Sequence, residues 1–79
     1  MTNVDYKKKT KQIIAEKAGL EIEEVEESLY FEDDLNLSKL ELIEILAELE
    51  EVFQIELMEE KDNMETVQDL LDFVGEQVE

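Results

Sequence analysis

The 79-residue sequence contains no cysteine, no histidine and no proline, and only two glycines, Gly19 and Gly75. Without cysteine there is no disulfide and no thiolate metal site. Without histidine the commonest general base and the commonest neutral metal ligand are missing. Without proline, and with so little glycine, long helices meet few interruptions. The apolar residues come in short periodic groups, never in the run of ~18 or more that spans a bilayer. The cluster Lys7, Lys8, Lys9 and Lys11 precedes no apolar stretch of the kind that marks a secretion signal. A soluble, cytoplasmic protein is expected. A chain of this length makes one domain, near the lower limit for a core that holds without staples.

What the chain has in excess is acid. Its formal net charge is −17, unevenly spread. Residues 1–20 carry five lysines against Asp5 and Glu16, a balance of +3. Residues 21–60 carry sixteen acids against Lys39 alone, −15, and residues 61–79 carry six against Lys61, −5. Such a field repels nucleic acid phosphates and anionic membrane surfaces, so neither is an expected partner. It favours encounter with basic patches on other proteins, in a salt-dependent way. The plain alternative is that the acids only keep a small protein in solution. High net charge also favours disorder, but 43% hydrophobic residues and helical periodicity in two segments favour a folded monomer.

The spacing predicts a first helix over residues 3–18, with Val4, Tyr6, Thr10, Ile13, Ile14 and Ala18 inward and Gly19 ending it in a left-handed turn. A long connection follows over 20–37. Its irregularly spaced Leu20, Ile22, Val25, Leu29, Phe31, Leu35 and Leu37 read as pins onto the bundle, with a helical turn near 23–28. The second helix is read over 39–53: Leu42, Ile45, Leu46, Leu49, Val52 and Phe53 repeat at helical spacing, and Leu40, Ile43 and Ala47 widen the stripe. Glu41, Glu44, Glu48 and Glu51 fall on its other side. A short element is expected over 58–63 and a last helix over 67–78, with Val67, Leu70, Leu71, Val74 and Val78 inward and Thr66 with Asp69 as a capping pair. The fold class is all-α: a small four-helix bundle of three longer helices and one short one, with a long loop between the first and second.

Four stretches stand in a telling order: Lys11-Gln12-Ile13-Ile14-Ala15-Glu16-Lys17-Ala18-Gly19-Leu20, Phe31-Glu32-Asp33-Asp34-Leu35, Leu49-Glu50-Glu51-Val52-Phe53-Gln54-Ile55-Glu56-Leu57 and Glu65-Thr66-Val67-Gln68-Asp69. Alone, each is weak, since any acidic amphipathic helix supplies half of it. Together, at these separations, they resemble the acyl carrier protein family over nearly the whole chain. The resemblance implies a four-helix bundle that is not itself an enzyme and that carries acyl chains as thioesters on a phosphopantetheine arm. It also implies recognition of the second helix by basic patches on enzymes of fatty-acid or polyketide synthesis. The acids of that recognition helix map onto Glu41, Glu44, Glu50 and Glu51.

The family's attachment motif reads Asp-Leu-Gly-x-Asp-Ser-Leu-Asp-x-x-Glu, with the arm on the serine. Laid without gaps on residues 34–44, it puts Asn36 at the glycine, Ser38 at the second aspartate and Lys39 at the serine. Asparagine tolerates the left-handed backbone such a turn needs. Ser38 with Glu41 spells a capping box, in which the serine oxygen accepts the N3 amide and the glutamate reaches back to the serine amide. Lys39 opposes the helix dipole, with Asp33, Asp34 and Glu41 near in sequence to offset it. A lipoyl or biotinyl lysine is at odds with the helical pattern. Glu32, Asp33 and Asp34 lack the spaced ligands of a dedicated Ca²⁺ or Mg²⁺ loop, and Met58 and Met64 read as gap-fillers.

The sequence therefore leads to one expectation with two rivals. The expectation is an acyl-carrier-protein homologue without cofactor, whose acidic second helix docks basic surfaces of protein partners, acyl-chain synthesis enzymes among them. The first rival is a working carrier in fatty-acid, polyketide or secondary-metabolite synthesis, with 4'-phosphopantetheine on Ser38. The second is a structural part of a larger assembly.

Overall fold

The computed structural model describes residues 5–78. They form α1 (Asp5–Ala18), α2 (Lys39–Phe53) and α3 (Val67–Val78), with 3₁₀ segments at Ile22–Glu24 and Met58–Asn63. The architecture is an all-α bundle of three longer helices and the short Met58–Asn63, joined by a long loop between α1 and α2. The bounds of α2, Met58–Asn63 and α3 coincide with the spans expected from the sequence. The expected start of the first helix at residue 3, and Val4 on its inner face, lie outside the described residues.

Each helix buries one stripe. From α1 come Thr10, Ile13, Ile14 and Ala15, from α2 Leu42, Ile45, Leu46 and Leu49, and from α3 Val67, Leu70, Leu71 and Val74. Tyr6 lies across α3 at Gly75, where a Cβ would stand 2.5 Å from the tyrosine hydroxyl. A glycine inside a helix, normally a weakness, here leaves room for that ring. Gly19 closes α1 at φ 76, with the Leu20 amide donating to the Ala15 carbonyl at 2.9 Å, a helix ending that favours glycine. At the far end of α2, Gln54 takes the left-handed position at φ 58, an ending that the sequence did not announce.

Four expected positions of the apolar pattern differ. Leu40 is 65% exposed and Val52 45%, and Ala47 is exposed as well. At about 100° per residue, Leu40 and Ala47 stand on the side opposite Leu49, and Val52 sits on the flank of the buried stripe. Leu20 is also at the surface, because it belongs to the turn that closes α1.

The loop is held by more than its apolar pins. Val25, Phe31, Leu35 and Leu37 are buried in the core, and the helical turn falls at Ile22–Glu24, slightly earlier than expected. The backbone also pairs with the start of α3, through an isolated antiparallel bridge between Tyr30 and Thr66. Phe31 donates to the Glu65 carbonyl at 2.9 Å, Val67 to that of Leu29 at 3.0 Å, and Gln68 to that of Glu27 at 2.9 Å. These bonds carry the approach to α2 against the beginning of α3, and so place the head of α2 beside the segment 62–65.

Candidate functional site at the head of α2

Several hydrogen bonds hold the local chain at residues 34–41. Asn36 adopts the left-handed conformation at φ 56, and the Leu37 amide donates to the Phe31 carbonyl at 2.8 Å. Ser38 is the extended N-cap residue. Its Oγ accepts the Glu41 amide at 3.2 Å, and Glu41 Oε1 accepts the Ser38 amide at 2.9 Å. Both bonds of the capping box thus form, and α2 starts on them. The serine side chain itself is exposed.

Lys39 follows in the first turn. Its Nζ donates to Asp62 Oδ1 at 2.7 Å, and Lys61 Nζ stands 3.9 Å from the other oxygen of that carboxylate. The hydrogen bond from Lys39, then the charges of Lys39 and Lys61, hold the Asp62 carboxyl below its ordinary range. The sequence offers Asp33, Asp34 and Glu41 to offset the charge of Lys39; Glu41 Oε1 also accepts the Ser38 amide and Asp34 Oδ2 the Tyr30 amide at 2.8 Å, and the direct ion pair is to Asp62. Asp62, from the 3₁₀ segment, is brought up by the fold.

Beside these residues a pocket of about 350 Å³ opens between the loop, the head of α2 and the segment 62–65. Its apolar lining is Phe31, Leu37, Leu42 and Met64, all part of the core. Its polar lining is Glu32, Asp33, Ser38, Lys39, Asp62 and Glu65, with Tyr30 on the wall. Met64 is therefore both a gap-filler and a pocket surface.

The four acids read as partner contacts have unlike surroundings. Glu41 is half-buried in the capping box. Glu50, also half-buried, accepts the amides of Leu57 and Met58 through one carboxylate oxygen at 2.7 and 2.9 Å, fastening the chain that leaves α2. Glu44 is exposed and receives Lys17 Nζ of α1 at 2.9 Å. That hydrogen bond, against some desolvation and with help from the charges of Glu44, Glu48 and Glu41, raises the lysine's pKa. Glu51 is exposed. The outward face of α2 thus carries Glu44, Glu48 and Glu51 with Leu40 at its head, and Glu41 and Glu50 serve the fold.

Among the described residues no group of three or more acids gathers as a metal site, and no helix is long and apolar enough to cross a membrane. Sequence reasoning missed Asp62, the pocket and the apolar Leu40 on the acidic face. The first two arise from long-range packing. The third was legible as an apolar residue out of phase with Leu49.

No family model matches the chain. It is 35% identical over 79 residues, 99% of its own length and 98% of the relative's, to the acyl carrier protein of Thermosynechococcus vestitus.

Proposed function

The chain belongs to the acyl carrier protein family, and from that premise we propose that it acts as a docking module whose acidic second helix binds basic protein partners without a phosphopantetheine arm. The observation that carries this reading is the head of α2. A phosphodiester-linked arm needs a free hydroxyl, and position 39 offers an amine held by Asp62 at 2.7 Å. The neighbouring hydroxyl, Ser38 Oγ, accepts the amide that starts the helix. The arm does not fit Lys39.

The docking face is Glu44, Glu48 and Glu51, with Leu40 as a 65% exposed apolar contact at its head. Carboxylates around an exposed leucine give a basic partner both steering and a dry anchor. Lys17 holds Glu44 in the free protein, and an exposed pair of this kind is easily exchanged for a partner's cation. The test is a pull-down on wild type and on Glu48→Lys/Glu51→Lys at low salt. Partners retained by the wild type are expected to be lost by the double reversal. Equal retention would remove this face as the contact.

A second reading, the covalent carrier modified at Ser38, has one observation in its favour. Ser38 is exposed and borders a pocket with an apolar lining, a place where an arm and its chain would lie. The two readings part on whether the Ser38 hydroxyl is ever esterified.

A further inference from the structure

The pocket at the head of α2 has a lining whose charge and shape select a ligand class. Four carboxylates, Glu32, Asp33, Asp62 and Glu65, face one ammonium, Lys39. An anion would meet that excess, in a chain of net charge −17, and be repelled. A cation is favoured. The lining also includes Phe31, Leu37, Leu42 and Met64, apolar surface from which a hydrated metal ion or a bare ammonium gains nothing. A cation on an aliphatic stem uses both kinds of lining, its stem on the apolar residues and its head at the carboxylates. Tyr30, 46% exposed on the wall, adds an aromatic surface that suits a flat guanidinium better than a compact ammonium.

We propose that this pocket is the anchor site for an arginine side chain of a basic protein partner, with Lys39 as its built-in placeholder. The proposal rests on the docking reading above and deepens it by naming the side chain that seats beside α2. In the free protein Lys39 satisfies Asp62 at 2.7 Å, with both side chains about half or more open to solvent at 47% and 74%. Such a pair is weak and yields to a competitor. A guanidinium presents five donors in a fixed fork where an ammonium presents three, and its planar fork matches a carboxylate bidentately, so it competes with Lys39 for Asp62. The chain contains no arginine of its own, so an intramolecular rival of that kind is absent.

The test uses the full-length protein and the peptide acetyl-Leu-Arg-Leu-amide, followed by amide chemical shifts at low salt. Saturable shifts are expected at Tyr30, Phe31, Asp33, Leu42, Met64 and Glu65. The citrulline analogue, equal in shape but uncharged, is expected to bind about tenfold more weakly, the margin between charged and neutral hydrogen bonds. Asp62→Asn should weaken the arginine peptide about threefold, and Lys39→Ser should tighten it by a similar factor, the scale of one exposed charge pair. Two controls change the same charge elsewhere: Glu59→Gln on the 3₁₀ segment and Lys17→Ser on α1, both expected to leave the affinity within error. Equal binding of the citrulline peptide, shifts that follow the outer acids of α2, or control variants matching Asp62→Asn and Lys39→Ser would each overturn the proposal. The docking face stands apart from this outcome: a peptide that ignores the pocket leaves the Glu48/Glu51 reversal untouched, and a partner indifferent to that reversal leaves the pocket result untouched.

Discussion

Thr10 shows how little slack a core of this size has. It is fully buried on α1, and its hydroxyl finds no hydrogen-bond partner among the described residues. An unpaired buried hydroxyl costs roughly 1–3 kcal/mol by mutational measures. Valine has the same shape and a similar helix propensity. Thr10→Val is therefore expected to stabilise the fold by about 1 kcal/mol, seen as a rise of about 4–8 °C in Tm for a domain of this length. An unchanged or lowered Tm would mean that the hydroxyl is satisfied in solution. Ser38 presents the reverse case: its oxygen is matched to the Glu41 amide, and a cap of this kind is typically worth ~1 kcal/mol.

At the scale of elements, neighbouring acids of α2 have unlike surroundings. Glu50 gathers the amides of Leu57 and Met58, and so fixes where the chain turns towards Met58–Asn63 and Asp62. Glu50→Ala is expected to cost about 1–2 kcal/mol, the scale of hydrogen bonds to a charged acceptor in a half-open setting. Glu51→Ala, on the outer face, should stay within ±0.5 kcal/mol. Denaturant titration of the two variants checks this, and equal midpoints would deny Glu50 its structural duty.

The sequence could not separate these neighbouring glutamates, because the difference lies in two amides seven and eight residues further on. The helices themselves were legible, since Leu42, Ile45, Leu46 and Leu49 can share a face only in a helix, and Ser38 with Glu41 or Thr66 with Asp69 mark starts by local spacing alone. Both oxygens of the latter pair do accept as that spacing implies, Asp69 Oδ2 from the Thr66 amide at 3.1 Å and Thr66 Oγ1 from the Asp69 amide at 3.2 Å. The pairing of the loop with α3 was not legible: bonds such as Phe31 to the Glu65 carbonyl are made by backbone, which every residue type supplies. Nor was the partner of Lys39, which the fold chose from 23 residues away over three acids nearer in sequence.

The whole molecule is a strongly charged particle of 33 × 27 × 19 Å with a net charge of −17. At 0.01 M salt the screening length, ~30 Å, approaches its long axis, and at 0.15 M it is ~8 Å. Acid–acid repulsion therefore opposes folding most strongly in dilute buffer. Raising NaCl over this range is expected to raise Tm by several degrees, and a flat or falling Tm would show that local ion pairs outweigh the repulsion.

Those pairs act at the edges of the pH scale. Asp62, whose pKa is lowered by Lys39, favours the folded state above the ordinary carboxylate range, and that contribution is lost as pH falls through its lowered value. Lys17, whose pKa is raised by Glu44, favours the folded state below the ordinary lysine range, and its contribution is lost as pH rises through its raised value. Near neutrality both are in place, and as exposed pairs both are small.

An acyl carrier fold that docks without an arm must leave Ser38 unesterified even when the modifying machinery is supplied. The direct measurement is the intact mass of the protein after incubation with coenzyme A and a broad-specificity phosphopantetheinyl transferase, beside Ser38→Ala and Lys39→Ser. The wild type and Ser38→Ala are expected to keep their mass, and Lys39→Ser to gain one phosphopantetheine. A wild-type protein that gains the group, and loses that gain in Ser38→Ala, would contradict the docking reading and make the chain a covalent carrier.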